Sequence, residues 1–360
     1  MAENWIDKAT QVRKGEELNI EKLVQVLKNE LGLEGDEVVV EQFPSGFSNL
    51  TYQLNFGENK LVLRRPPFGA KIKSGHDMGR EFNILKNLKK VYPKVPQPYF
   101  YTENEAIIGA PFYIMEKVEG IILRAKMPKE MEPDESSMAE IANNFVKEFA
   151  TLHAIDYEKT GLSDLGKPEG YIERQIKGWT KRYFNAKTDE FQAVESLANW
   201  LAENMPPSSG NALIHNDFKY DNVVLNPNDW TQIIAILDWE MSTLGDPLMD
   251  LGTSLGYWIN HNDPDFMKQM SLNPTTSPGN PTRGELVEMY AKRSGRDISD
   301  IVFYYAYGLF KIAVIIQQIY FRYSKGLTKD ERFAHLNHAV NGCGTIAMQA
   351  INKNAIDYLF

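Results

Sequence analysis

Two short apolar runs that border acid- and amide-bearing loops constrain this chain more than any other feature. Ile214-His215-Asn216-Asp217-Phe218-Lys219-Tyr220-Asp221-Asn222-Val223-Val224-Leu225 is followed, after a turn, by Ile236-Leu237-Asp238-Trp239-Glu240. The apolar pieces at 212–214, 222–225 and 233–237 are short and interrupt a region otherwise patterned for helices, so they read as strands. A hairpin of the last two brings the Asn222 amide and the Asp238 carboxylate together. Mg²⁺ is a hard cation that takes a few protein oxygens and completes its shell with phosphate, so this pair suits an Mg·nucleotide site. Asp217 is then left to orient a substrate hydroxyl and accept its proton, and Lys219, two residues on, to neutralise charge on a moving phosphoryl group. Taken singly, an Asp or Asn in a turn more often caps its own backbone; the joint pattern points to chemistry.

The rest of the chain predicts where these loops sit. From Asn19 to Leu33, Ile20, Leu23, Leu27 and Leu31 recur at helical spacing, giving a leading amphipathic helix. Segments 37–43, 50–56 and 60–65 are rich in Val, Leu and Tyr and separated by turn residues, so they predict antiparallel strands. A helix at 77–90 and a buried strand at 112–118 complete an α+β lobe, 1–118. Beyond Gly120 the patterns are mainly helical, at 137–155, 171–185, 191–204, 285–293 and 301–323, and define a larger second lobe, 119–360. The apolar stretch 304–323 is broken by Lys311, Gln317, Gln318 and Arg322 and reads as a buried helix, so no membrane is expected. Segment 273–282, rich in Pro, Thr, Ser and Gly, is a helix connection or a substrate lid.

A formal net charge of -9 argues against a nucleic-acid partner, which needs a basic face. The one cysteine, Cys343, points to a reducing compartment, and Met1 to Lys14 holds no apolar signal core, so a cytoplasmic location is expected. His335, His338 and Cys343 match no closed zinc spacing and read as helix residues. His153 reads as a capping or packing residue at a helix end, and His215 as a buttress of the loop.

The pattern His215, Asp217, Asn222, followed by Asp238 on the next strand, resembles the aminoglycoside phosphotransferase and choline kinase family, which has the two-lobed protein-kinase-like fold. The resemblance implies Asp217 as catalytic base, Asn222 and Asp238 as Mg²⁺ ligands, and ATP, with GTP as an alternative, as phosphoryl donor. In Gly245-Asp246-Pro247-Leu248-Met249-Asp250-Leu251-Gly252 it implies acids that buttress the catalytic loop 215–222. Phe112 to Gly120 is similar to the hinge, at 115–120, with backbone near Glu116 and Val118 pairing with a purine and Met115 behind it. Ser45-Gly46-Phe47-Ser48-Asn49-Leu50 stands where the phosphate-covering turn belongs, offering Ser45, Gly46, Ser48 and Asn49.

Where the family pattern expects a lysine on the third strand, this chain has Arg64 and Arg65. Alternation puts the two on opposite faces, and Arg64 is favoured, with Glu81 as its partner. The details look closest to kinase domains related to acyl-CoA dehydrogenase family proteins. The resemblance implies a small-molecule hydroxyl as acceptor: an aminoglycoside, an amino alcohol, a sugar or a hydroxyacyl thioester. The rival reading is a catalytically silent nucleotide-binding module; a protein kinase is disfavoured by the short interval between Asp238 and Gly245.

Overall fold

The computed structural model describes residues 9–44, 49–68, 76–125, 133–328 and 330–360. They form two units that are not collinear with the chain. The first comprises residues up to Ile122 together with Glu158–Leu162 and Asn222–Met241; the second comprises Leu123–Tyr157, Ser163–Asp221 and Ser242–Phe360.

The first unit opens with α1 (Ile20–Asn29), whose cap, Asn19, accepts the Lys22 N–H at 3.1 Å. Strands β1 (Val38–Gln42), β2 (Leu50–Phe56) and β3 (Asn59–Arg65) follow, then α2 (Met78–Leu88), β4 (Pro98–Thr102) and β5 (Phe112–Glu116). All pairings in this five-stranded sheet are antiparallel, in the order β1-β2-β3-β5-β4. Leu23, Val26 and Leu27 of α1 share a core with Tyr52, Leu54, Phe56, Leu61, Leu63, Phe112 and Ile114. Because side chains alternate along a strand, Arg64 and Tyr113, which lie opposite each other on β3 and β5, are turned away from that core. Phe82 of α2 covers Tyr113, with ring centroids 6.3 Å apart. A two-residue strand, β6 (Ile121–Ile122), closes this stretch.

The second unit supplies α3 (Glu135–His153), α4 (Tyr171–Ala186), α5 (Gln192–Glu203) and β7 (Ala212–Ile214). The chain then returns to the first unit as the hairpin of β8 (Val223–Asn226) and β9 (Asp229–Ile236), with β6 paired to β8. Back in the second unit come β10 (Thr243–Gly245), α6 (Pro247–Gly256), α7 (Asp265–Lys268), α8 (Arg283–Ser294), α9 (Ile301–Ser324) and α10 (Leu336–Lys353). β7 and β10 pair antiparallel and carry the loops that follow them. α9 is long and apolar enough to cross a membrane by length and composition alone, yet most of it is buried within the unit.

The α6–α9 contact is set by two glycines. A Cβ added at Gly252 would lie 2.0 Å from the Tyr304 carbonyl oxygen, and one at Gly308 would lie 1.9 Å from the Gly252 carbonyl oxygen. The two backbones therefore touch, and neither can yield as a flexible side chain would. Gly308→Ala is expected to cost about 2 kcal/mol or more through forced separation of the helices. Gly178→Ala, whose added Cβ on α4 would meet only Arg182 at 3.8 Å, should be neutral or stabilising. Thermal denaturation of the two variants checks the contrast.

Candidate active site

In the first unit, one guanidinium gathers three carboxylates. Arg64 contacts Glu81 at 2.5 Å, Glu240 at 3.1 Å and Asp238 at 3.2 Å. Burial opposes the Arg64 charge, but Glu81, Tyr113, Asp238 and Glu240 hold the guanidinium charged and raise its pKa further. Glu240 is held in turn by the Asn49 side-chain amide at 2.6 Å, and its carbonyl accepts from Arg80 at 3.2 Å. Asn49 meets a ring nitrogen of His76 at 2.9 Å through its other amide atom. Asp238 has φ 66°, an uncommon left-handed conformation for a residue with a side chain, and its side chain is 35% exposed where those of Arg64 and Glu240 are 9%. Hairpin pairing sets Val223 opposite Ile236, and the Leu237 N–H donates to the Asn222 carbonyl at 2.8 Å. Asn222 is thereby tied to the residue immediately before Asp238.

In the second unit, the loop after β7 is built around Asp250, near the start of α6. Its carboxylate accepts the N–H of His215 at 2.6 Å and that of Asn216 at 2.7 Å, and it meets a ring nitrogen of His153 at 3.1 Å. Burial works against its charge, but the hydrogen bonds and fields of His153 and His215 hold the Asp250 carboxyl below the usual carboxylate range. Asn216 takes a left-handed φ of 67°. Asp217 then presents its carboxylate to the Lys219 ammonium at 2.7 Å, with the Tyr257 ring 5.0 Å from the same nitrogen. Burial opposes the Lys219 charge, yet Asp217, Tyr257 and Asp221 raise its pKa, so it remains a cation. Burial pushes the Asp221 carboxyl up to about 6, against the pull of Lys219. Underneath, Phe218 stacks on Phe149 of α3 with ring centroids 4.2 Å apart.

The structure brings together Arg64, Glu81, Asn49 and Asp238 in one unit, and Asp217 and Lys219 in the other. Arg65 lies on the opposite face of β3 from Arg64, buried, with its guanidinium 3.7 Å from the Phe68 ring and bonded to the Ile108 carbonyl at 2.9 Å. In the hinge segment, Met115 is buried at the end of β5, and the Glu116 N–H is already taken by the Gln97 carbonyl at 2.8 Å. Val118 follows in irregular backbone. Ser45, Gly46 and Ser48 lie outside the described residues.

Segment 273–282 is tied to the loop: Asn273 accepts the Asp221 N–H at 3.0 Å, and Asn280 accepts from the Tyr220 hydroxyl at 2.8 Å. It also walls a cavity of about 330 Å³ whose described lining includes Met138, Lys268, Ser271, Asn273 and Thr276 but no carboxylate. Sequence reasoning reached Glu240 only as the end of the 236–240 run and Asn273 only as the start of segment 273–282, and it passed over Tyr257. His153 was expected to cap or pack; it does pack against Phe149, and it also bonds Asp250.

The sequence profile described as the phosphotransferase enzyme family matches residues 39–273, nearly two-thirds of the chain. This chain belongs to that family. A Ralstonia eutropha protein of solved structure, provisionally described as an aminoglycoside phosphotransferase, is 30% identical and superposes with TM-score 0.79 over 94% of this chain and 99% of its own. The choline kinase of Cryptosporidium parvum shares the fold, with TM-score 0.61 at 14% identity over 94% of this chain and 99% of the other. Acyl-CoA dehydrogenase family member 11 of Rattus norvegicus is 37% identical over 82% of this chain and 38% of its own length. Family member 10 of Mus musculus is 35% identical over 86% of this chain and 29% of its own length. The chain thus spans about a third of these curated relatives. The protein-kinase-like fold is shared with the structural neighbours: an antiparallel sheet in the N-terminal part and a mainly helical C-terminal part.

Within this family member, the two acid clusters give separable predictions. Arg64→Met leaves Glu81 buried without its cation and should cost about 3–5 kcal/mol, most of it recovered when Glu81→Leu is added. Chemical denaturation of the single and double variants measures that recovery. Asp221 is the opposite case, a carboxyl whose folded-state pKa lies above its ordinary 3.8. The folded protein therefore binds more protons than the unfolded chain between about pH 4 and pH 6, and this group's contribution to stability falls as pH rises through that window. Asp221→Asn should flatten that decline, read from urea midpoints at the two ends of the window.

Proposed function

We propose that this phosphotransferase-family chain is a Mg²⁺-dependent kinase that moves the γ-phosphoryl group of ATP to the hydroxyl of a small molecule. The observation that carries the reading is the backbone bond joining Asn222 to Leu237. It makes Asn222 and the partly exposed Asp238 near neighbours along the backbone of one hairpin, which supports the reading of the two as an amide-and-carboxylate pair. Among the described residues no group of three or more His, Cys, Asp or Glu side chains could hold a metal by itself. One carboxylate and one amide fit Mg²⁺, which leaves much of its shell to phosphate and water. The corner also has more carboxylates than guanidinium groups, which suits a divalent cation. When bound, the ion neutralises phosphate charge.

The chain's own groups do the rest. Asp217 orients the acceptor hydroxyl and takes its proton as the oxygen attacks, and Lys219 balances the charge beside it. Arg64, held by Glu81, faces the phosphates; its planar fork replaces a lysine's point charge. A purine at the hinge would rely on the Glu116 carbonyl and the backbone of Val118, since the Glu116 N–H is taken. Adenine and guanine are not separated by these groups, so GTP stands as the alternative donor. The lone buried Cys343 agrees with work in the cytoplasm.

The test is a transfer assay with Mg·ATP against aminoglycosides, amino alcohols, sugars and hydroxyacyl thioesters, run with and without Mg²⁺. Asp217→Asn is expected to lower turnover by about 10³-fold while Mg·ATP binding, measured by calorimetry, is retained. Unchanged turnover removes Asp217 from its role. Nucleotide binding with no Mg²⁺-dependent transfer or hydrolysis would instead make the chain a silent binding module.

A further inference from the structure

Lys311 sits in the middle of α9, the most apolar helix of the chain, and is 2% exposed. A lysine there is costly, because burial strips water from the ammonium while a methionine of similar length would pack without that loss. Its ammonium donates to the Asn216 carbonyl at 2.8 Å and to the Asn216 side-chain oxygen at 3.3 Å. An ammonium only donates, so the amide of Asn216 must turn its oxygen, not its nitrogen, toward Lys311. The Tyr171 hydroxyl meets the same amide at 3.2 Å.

The bond to the carbonyl matters most, because that oxygen belongs to the peptide unit joining Asn216 to Asp217. The N–H of the same unit donates to His215 Nδ1 at 3.3 Å, and the preceding amide of Asn216 is held by Asp250. Both polar ends of the peptide that aims Asp217 are therefore held, and Lys311 holds one of them from a distant part of the sequence. Asn216 is left-handed at this point, a conformation that persists only when its surroundings over-determine it.

We infer that Lys311 is a positioning residue of the catalytic loop: its amine fixes the Asn216–Asp217 peptide and so the direction of the Asp217 carboxylate. The close packing of Gly252 on Gly308, one turn before Lys311, sets how far the side chain must reach. Burial pushes the Lys311 amine down to about 8, with Asp250 and Asp217 drawing it toward the charged form and Lys219 and Arg182 opposing. The group is thus under strain as a cation and is held where it is by the contacts it makes.

The inference rests on the kinase reading, so its test includes a readout that does not need turnover. Lys311→Met, Lys311→Arg and Lys311→Gln are compared with Gln317→Leu. Gln317 is another buried polar residue of α9, bonded to the Ala186 carbonyl at 2.7 Å and the Thr188 hydroxyl at 2.9 Å. Hydrogen exchange of residues 214–219, melting temperature, and kcat and KM for Mg·ATP are measured on the full chain. Lys311→Met is expected to speed exchange in this segment by about tenfold or more. It should lower kcat by about 10²-fold with little change in nucleotide KM, and Lys311→Arg should recover part of both. If the methionine variant does not fold, Lys311→Gln, which keeps a donor without the charge, carries the same comparison. Gln317→Leu should lower the melting temperature without either effect.

Exchange and kcat within about twofold of the parent in the folded Lys311 variants would overturn the inference. So would a loss of turnover no larger than Gln317→Leu shows for the same loss of melting temperature. Faster exchange in a chain whose parent transfers no phosphoryl group would uphold the positioning of the loop and defeat the kinase reading instead.

Discussion

A single buried carboxylate, Asp250, is the interaction on which the loop after β7 depends. It is fully buried and gives both oxygens to consecutive backbone amides, those of His215 and Asn216. Consecutive N–H groups converge on one anion only when the backbone turns sharply, and the left-handed φ of Asn216 is that turn. α6 delivers the carboxylate, and α6 is fixed at its start by Asp246, which caps the helix and accepts from Ser209 at 2.7 Å. The loop is therefore an extension of helix packing and not an independent turn. Its apolar side agrees: Phe218 and Tyr220 pack on Phe145, and Phe218 also on Phe149, along one face of α3.

The two acid clusters are built on different principles. Around Asp217 the charges are few, paired and held by backbone geometry, so the carboxylate keeps a fixed direction. Around Arg64 one cation serves three acids, two of them nearly enclosed. Such a centre binds by charge balance more than by direction. Asp238 is its least enclosed acid.

Several parts of this arrangement were legible in the residues. The alternation of β3 separates Arg64 from Arg65 before any contact is known, and Arg65 is indeed spent on the Ile108 carbonyl and the Phe68 ring. Short apolar runs bounded by turns read correctly as β7, β8 and β9. Other elements escaped. β4 begins at Pro98, in a stretch for which the residues predicted no strand, and it pairs because its neighbour β5 offers an edge. Segment 273–282, read from composition as a helix connection or a substrate lid, does connect α7 to α8, and the hydrogen bonds of Asn273 and Asn280 to Asp221 and Tyr220 were not legible in it. Composition reports which backbone shapes are easy, and hydrogen bonds to distant partners decide which one is taken.

The amino-acid sequence by itself determined most of the helices and strands in their order, the family they resemble, and the presence of an acid, an amide and an acid at 217, 222 and 238. Those follow from local periodicity and from spacing along one loop and one hairpin. The family resemblance already pointed to the acids of 245–252 as buttresses of the loop; only the tertiary structure decided that Asp250 takes the amides of His215 and Asn216 and that Lys311 takes the Asn216 carbonyl. Asp250 lies 34 residues from Asn216 and Lys311 lies 95, separations at which no periodic signal survives. Their roles come from helices packed closely enough, glycine against glycine, to bring a buried acid and a buried amine to the same turn.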